Sequence, residues 1–270
     1  MDLDRVTAVS AAAAAADGAE PLDEASWLAL RHRPADVVAH VEDGGFTLLR
    51  DGELAVVVDP VRRGAGLGGR LAARALAGHD GPLRAWSHGG HPAAAALAAR
   101  HGFARVRDLW VMRRPTALAL PAARDLPGIV VRGYRDEDAE EVVRVNAAAF
   151  AHHPEQGSMD AAGLATRMAE PWFDPAGLLV AVDGGRVLGF HWTKQHSASL
   201  GEVYVVAIDP SAQGRGLGRA LTLAGLEHLA GLGVASVLLY VESDNAAALA
   251  VYSGLGFTHA DADTHVMYAR

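Results

Sequence analysis

The chain has 270 residues, 50% of them hydrophobic and 21% charged, with a net charge of −8 and no cysteine. At ~150 residues per domain this length predicts two domains whose cores need no covalent staple, and the ordinary composition excludes a disordered, collagen-like or coiled-coil chain. The acidic balance argues against nucleic acid and membrane as partners, and the lack of cysteine excludes disulfides, thiolate zinc sites, iron–sulfur clusters and a cysteine nucleophile.

In chain order, Asp2–Ala16 reads as a helix. Its alanine run, Ala11–Ala16, has neither the basic flank nor the apolar length of a secretory signal, and no stretch approaches ~18 apolar residues, which predicts a cytoplasmic protein. Residues 54–71 give an apolar strand-like run, the step Asp59-Pro60 and a glycine-rich loop. A later apolar run ends at Arg113-Arg114-Pro115, and Pro121 and Pro127-Gly128 bracket a segment poor in regular structure. Domains are therefore expected at 1–114 and 128–270, with 115–127 as linker. Ile129-Val130-Val131 opens a strand and Asp136–Ala149 a helix. Leu178–Val182 and Val187–Trp192 form strands about the hairpin turn Asp183-Gly184-Gly185. Val203–Ile208 is a strand leading into a second glycine-rich loop, and Leu217–Gly231 carries Leu217, Leu221, Leu226 and Leu229 at helical spacing. Val237–Val241 (strand), Asn245–Gly254 (helix) and His265–Tyr268 (strand) complete an α/β pattern with a mixed sheet.

The two halves repeat. At an offset of 150, Asp59-Pro60 falls on Asp209-Pro210, and Gly64, Gly66, Leu67, Gly68 and Leu71 fall on Gly214, Gly216, Leu217, Gly218 and Leu221. His101-Gly102-Phe103 answers Leu255-Gly256-Phe257 at an offset of 154. Glycines between a strand and a helix let backbone N–H groups approach an anion, and the helix N-terminus adds positive potential, so a diphosphate is the natural guest. A plain connecting turn is the alternative. Gly64, Gly66 and Gly69 also match a dinucleotide-binding spacing. The loop does not open directly after its strand, however, Arg219 replaces the last glycine in the second copy, and no Gly-Lys-Ser/Thr is present.

Arg63-x-x-Gly66-x-Gly68 and Gln213-x-x-Gly216-x-Gly218, with Asn245, Tyr252 and Leu255-Gly256-Phe257, resemble the GNAT family of N-acetyltransferases. The resemblance implies two tandem GNAT (acyl-CoA N-acyltransferase) domains, each a mixed twisted sheet flanked by helices, and acetyl-CoA as acetyl donor. It assigns the diphosphate to Gln213, Gly214, Arg215, Gly216, Leu217, Gly218 and Arg219, and the pantetheine arm to Val206, Ala207 and Ile208. Asn245, Ala246, Ala247, Ala248, Leu249 and Ala250 complete that cofactor site. In the first half the matching positions are Ala55, Val56 and Val57 with Arg63, Gly64, Ala65, Gly66, Leu67 and Gly68. Gly189-Phe190-His191-Trp192-Thr193-Lys194, Gly201-Glu202-Val203-Tyr204-Val205 and Tyr240-Val241-Glu242-Ser243-Asp244-Asn245 are similar to tandem GNAT enzymes that acetylate the cysteinyl amine of cysteinyl-glucosaminyl-inositol. That likeness implies acceptor contacts from Glu155, Lys194, Glu202 and Tyr240, with Glu24 or its neighbour Asp23 from the first half. Another small amine, a protein N-terminus, or a non-catalytic role as acetyl-CoA sensor are the rival readings.

An α-amino group has a pKa of ~7.7–8.0, so a weak base suffices to free it. Glu202, just ahead of the expected bulged strand, is the candidate base, and Tyr252 the candidate proton donor to the departing thiolate. The family resemblance gives them the same roles, while a surface carboxylate and a ring packed on Phe257 are the alternatives. The first half has Gly52, Ala98 and His91 where the second has Glu202, Tyr252 and Asn245, although Glu53 is adjacent. It is therefore expected to bind cofactor without catalysing transfer. The thirteen histidines, His152-His153 included, show no metal-ligand spacing. With two repeats able to pair within one chain, a monomer is expected.

Overall fold

The computed structural model describes residues 2–77, 79–151 and 159–270. The helices are α1 (Leu3–Asp17), α2 (Glu24–His32), α3 (Leu67–Leu76), α4 (Pro92–Arg100), α5 (Ala139–Ala149), α6 (Ala161–Met168), α7 (Leu217–Gly231) and α8 (Ala246–Ser253). The strands are β1 (Val38–Glu42), β2 (Gly45–Arg50), β3 (Glu53–Val58), β4 (Arg84–Ser87), β5 (Ala104–Pro115), β6 (Val130–Gly133), β7 (Leu178–Asp183), β8 (Arg186–Gln195), β9 (Leu200–Ile208), β10 (Ser236–Glu242) and β11 (Thr258–Ala269). Residues 116–129 hold neither helix nor strand.

The chain divides into two compact units, but not at one cut. The first comprises Met1–Trp110 with Ala260–Arg270, the second Val111–His259. The expected division at 114 and 128 differs in two respects. Residues 111–127 fall in the second unit. The end of the chain belongs to the first unit, because β11 pairs antiparallel with β4 from Val266↔Ser87 to Ala269↔Arg84. A contiguous reading of the repeat misses such a pairing, since its partners lie far apart in sequence.

In the first unit the strand order is β1-β2-β3-β4-β11. The hairpins β1–β2 and β2–β3 are antiparallel, and β3 meets β4 in parallel. Its core gathers Val6 and Ala13 of α1, Leu30 of α2, and Phe46, Leu48 and Val57 of the sheet. Asp2 caps α1 by accepting the Arg5 amide, and the helix ends where Gly18 turns left-handed at φ +72°.

The second unit holds β10-β9-β8-β7-β6 and the Val111–Pro115 end of β5, with helices on both faces of the sheet. Val142 and Val145 of α5 pack with Val180, Phe190, Trp192, Val205 and Ala207 on one face. Leu217 and Leu221 of α7 pack with Ala181 and Leu188 on the other. The β7–β8 hairpin turns at Gly184-Gly185, both at positive φ. Each apolar residue buried in this way contributes about 1.5–3 kcal/mol, so the alternation along β7 and β8 fixes their register. α7 lies close to the sheet because Gly225 faces His191, whose ring would sit 2.1 Å from a Cβ there. No helix is long and apolar enough to cross a membrane among the described residues.

Candidate active site

The site starts from a defect in strand pairing. Along β8, Trp192 faces Val205 and Thr193 faces Val203, so the register shifts past Tyr204 of β9. This is a β-bulge, and it bends the strand. On the other side β9 pairs in parallel with β10 from Leu200↔Ser236 to Val203↔Leu239, and the paired register ends there. Past the bulge, Val206, Ala207 and Ile208 pair only with β8, opposite His191, Phe190 and Gly189. Backbone groups of an antiparallel strand alternate between its two sides, so those turned toward β10 need another partner. An amide-bearing arm can take that place as a strand would. In the first unit β3 and β4 pair only at Glu53↔Arg84, which leaves Ala55, Val56 and Val57 in the same situation.

Each opened strand runs into its glycine loop. Asp209 Oδ1 accepts the Ser211 amide at 2.9 Å and its hydroxyl at 2.6 Å, which sets the turn after β9. Gly214 (φ +77°) and Gly216 (φ +84°) then aim the chain into α7. Gly216 caps α7 without a side chain, so the first-turn N–H groups of Leu217, Gly218 and Arg219 face outward for an anion. A Cβ at Gly214 would meet nothing within 4 Å, so the backbone conformation, not crowding, calls for glycine there. Gln213 closes the preceding turn, and Arg215 reaches Asp183 at 3.3 Å. The first loop copies the backbone, with Gly64 at φ +79° and Gly66 at +78° before Leu67 and Gly68 of α3. Its Arg63 is already engaged. Both Nη atoms hold Asp17, at 2.6 and 2.8 Å, and Nε donates to the Val58 carbonyl.

Of the expected proton-transfer and acceptor residues, Lys194, Glu202 and Tyr240 lie on β8, β9 and β10. Glu202 lies inside β9, two residues before the bulge and not ahead of the strand, because β9 begins at Leu200. It is 5% exposed, so a surface carboxylate is ruled out. Its Oε2 lies 2.6 Å from Nε2 of His196, the first residue after β8. Lys194 is its register partner on β8 and Leu238 on β10. Tyr240, two residues beyond Leu238, therefore shares their sheet face and is 44% exposed. The Lys194 ammonium sits 4.5 Å from the Trp172 ring and 5.2 Å from that of Tyr204, a cation–π arrangement that holds it over the aromatic cluster.

Tyr252 lies on α8, its ring 6.0 Å from Phe257 in an edge contact, so the packing alternative is physically present. Burial pushes its phenol up to about 12. Asn245 is the N-cap of α8, its Oδ1 accepting the Ala248 amide at 3.1 Å, while Ala246, Ala247, Leu249 and Ala250 form the helix start. His91 plays the same capping part on α4. In the first unit, Asp23 caps α2 by accepting the Ser26 amide at 2.8 Å and Glu24 is that helix's first residue. Glu155 and His152-His153 lie outside the described residues. His196 and Trp172 were missed in the sequence. Strand alternation from Lys194 could have flagged His196, whereas nothing local marks Trp172.

Comparison with known proteins follows this geometry. The acetyltransferase (GNAT) family profile matches residues 146–257. A mycothiol acetyltransferase of Nocardioides sp. is 64% identical over 98% of this chain and 96% of its own length. A GCN5-related N-acetyltransferase from Sphaerobacter thermophilus superposes with a TM-score of 0.72 at 22% identity, covering 98% of this chain and 91% of that one. A tandem GNAT protein of the clavulanic acid pathway gives 0.69 at 21% identity, covering 100% and 95%. Both superpositions show the GNAT fold.

Proposed function

The chain belongs to the mycothiol acetyltransferases, enzymes of the GNAT family, and from that footing we propose that it moves the acetyl group of acetyl-CoA to the cysteinyl amine of cysteinyl-glucosaminyl-inositol. The observation that carries this reading is the buried Glu202 carboxylate, set two residues before the bulge at which β9 and β10 part.

In this scheme the pantetheine arm lies along Val206–Ile208 and the diphosphate on the Gly214–Gly218 loop, which brings the thioester to the open strands. Lys194 and Tyr240 line the acceptor side, and Glu155 is a further proposed contact. Glu202 takes a proton from the acceptor's ammonium group. The freed nitrogen attacks the thioester carbon, the new C–N bond forms, the C–S bond breaks, and the nitrogen sheds its second proton to solvent to leave the neutral amide. A phenol held at about 12 is a weak acid toward a thiolate whose conjugate acid lies near ~8.5. Tyr252 therefore acts by donating a hydrogen bond to sulfur as it leaves, and the thiol takes its final proton from solvent. The first unit keeps an open strand and a glycine loop but has Gly52 and Ala98 in place of the two proton-handling groups. We assign it acetyl-CoA binding without transfer.

Mass spectrometry of the purified protein with acetyl-CoA and cysteinyl-glucosaminyl-inositol tests the reading, with Glu202→Gln alongside. Acetylated product from the wild type and a loss of roughly 10²–10⁴-fold in the variant are expected. Thioester binding without product would overturn the acceptor assignment.

A further inference from the structure

We propose that His196 is the positioning residue of the proton-accepting carboxylate: its imidazole pins Oε2 of Glu202 so that Oε1 is presented to the acceptor amine. The proposal rests on the role given to Glu202 above. A carboxylate on a strand can rotate about its last bond, and a base that wanders spends little time aimed at its proton. The 2.6 Å contact from Nε2 is short for an N–H donor and is charge-assisted, which removes that freedom.

The backbone supports the placement. β8 ends at Gln195, and the turn back to β9 is closed by the His196 and Ser197 amides, both donating to the Leu200 carbonyl at 2.9 and 3.3 Å. Ser197 Oγ accepts the Ser199 and Leu200 amides at 3.2 Å each. The hairpin is thus held by its own main chain, and the imidazole is not needed to close it. The side chain of His196 is 34% exposed and that of Glu202 7%, so the ring also connects a buried acid to solvent. The nearby cation is Lys194, opposite Glu202 in register and held over Trp172 and Tyr204. On β10 the neighbouring positions are Leu238 and Tyr240.

The test uses the full chain with His196→Ala and His196→Gln. Alanine should lower kcat ~10–100-fold, the range for losing a hydrogen bond to a charged group. KM for acetyl-CoA should stay within roughly twofold and the melting temperature should hold, because the turn keeps its backbone bonds. Glutamine, whose amide can donate to the same oxygen, should recover most of kcat. Independently, the His196 ring nitrogens are followed by NMR in the wild type and in Glu202→Gln, where loss of the carboxylate acceptor should move the Nε2 resonance. Unchanged kcat in His196→Ala, or an unmoved Nε2 resonance in Glu202→Gln, overturns the proposal. A wild type that makes no product although the resonance responds to Glu202→Gln overturns the functional reading and leaves the pairing in place.

Discussion

Arg144 on α5 donates to Asp209 Oδ2 at 2.5 Å, which ties the helix on one face of the second unit's sheet to the residue that launches the glycine loop. Arg186 reaches the same oxygen at 3.2 Å, while Oδ1 is spent on Ser211. These donors hold the Asp209 carboxyl far below the usual carboxylate range. Among the described residues, the equivalent Asp59 carboxylate accepts only the Val61 amide, at 3.1 Å. Asp209→Ala should cost about 3 kcal/mol, as for a broken buried ion pair, and raise KM for acetyl-CoA by disordering the loop. Asp59→Ala should cost about 1 kcal/mol, the value of a lost cap. Urea unfolding of both variants checks the difference, and equal losses would contradict it.

Acid should destabilise the protein above the range where carboxylates titrate. His191 is fully buried, and burial pushes its imidazole from 6.5 down to about 4. The folded state thus resists a proton that the unfolded chain accepts. The stability tied to His191 is whole above pH 6.5 and is lost as pH falls toward 4, about 3 kcal/mol in all. His88, also lowered to about 4, acts in the same direction. His191→Phe, which keeps a ring against Gly225, should therefore flatten part of the slope. Urea midpoints from pH 7.5 to 4.5 measure it, and an unaltered slope in the variant would refute the assignment.

Elements with strong local signals were legible in the sequence: the first helix, the Gly184-Gly185 hairpin, and both glycine loops between strand and helix. The sequence also pointed to Glu202, Lys194 and Tyr240, which share a face of the sheet. What stayed hidden depends on partners distant in sequence. β11 joins β4, some 180 residues earlier, and no local pattern encodes that choice. α2 and α6 escaped notice because each spans only two turns or so, too short for its periodicity to stand out. The Glu202–His196 pair needed the register of β8 against β9, which the bulge at Tyr204 shifts by one residue.

Tyr252→Phe separates the phenol's chemistry from its packing. Phenylalanine keeps the edge contact with Phe257, so stability should change little. Loss of the hydrogen bond to the departing sulfur should lower kcat roughly 10–100-fold, with KM for the acceptor nearly unchanged. Because the phenol stays protonated up to about 12, the basic limb of the wild-type pH–rate profile below pH 10 should persist in the variant. A stable variant with full kcat would make Tyr252 a packing residue only.

Gly216 and Gly66 offer the sharpest test of the two units' division of labour, since they occupy the same loop position with φ of +84° and +78°. Valine at either is strained, because a β-branched residue at positive φ is a genuine outlier. The damage at each loop should therefore be similar, and the functional consequence should not be. Gly216→Val deforms the cradle that follows the strand carrying Glu202 and should raise KM for acetyl-CoA at least ~10-fold. Gly66→Val deforms a loop whose Arg63 is bound to Asp17 and whose strand lacks the proton-handling groups. It should leave kcat within roughly twofold while removing one acetyl-CoA binding event in calorimetry. If turnover fell as far in Gly66→Val as in Gly216→Val, the first unit would have a part in transfer itself.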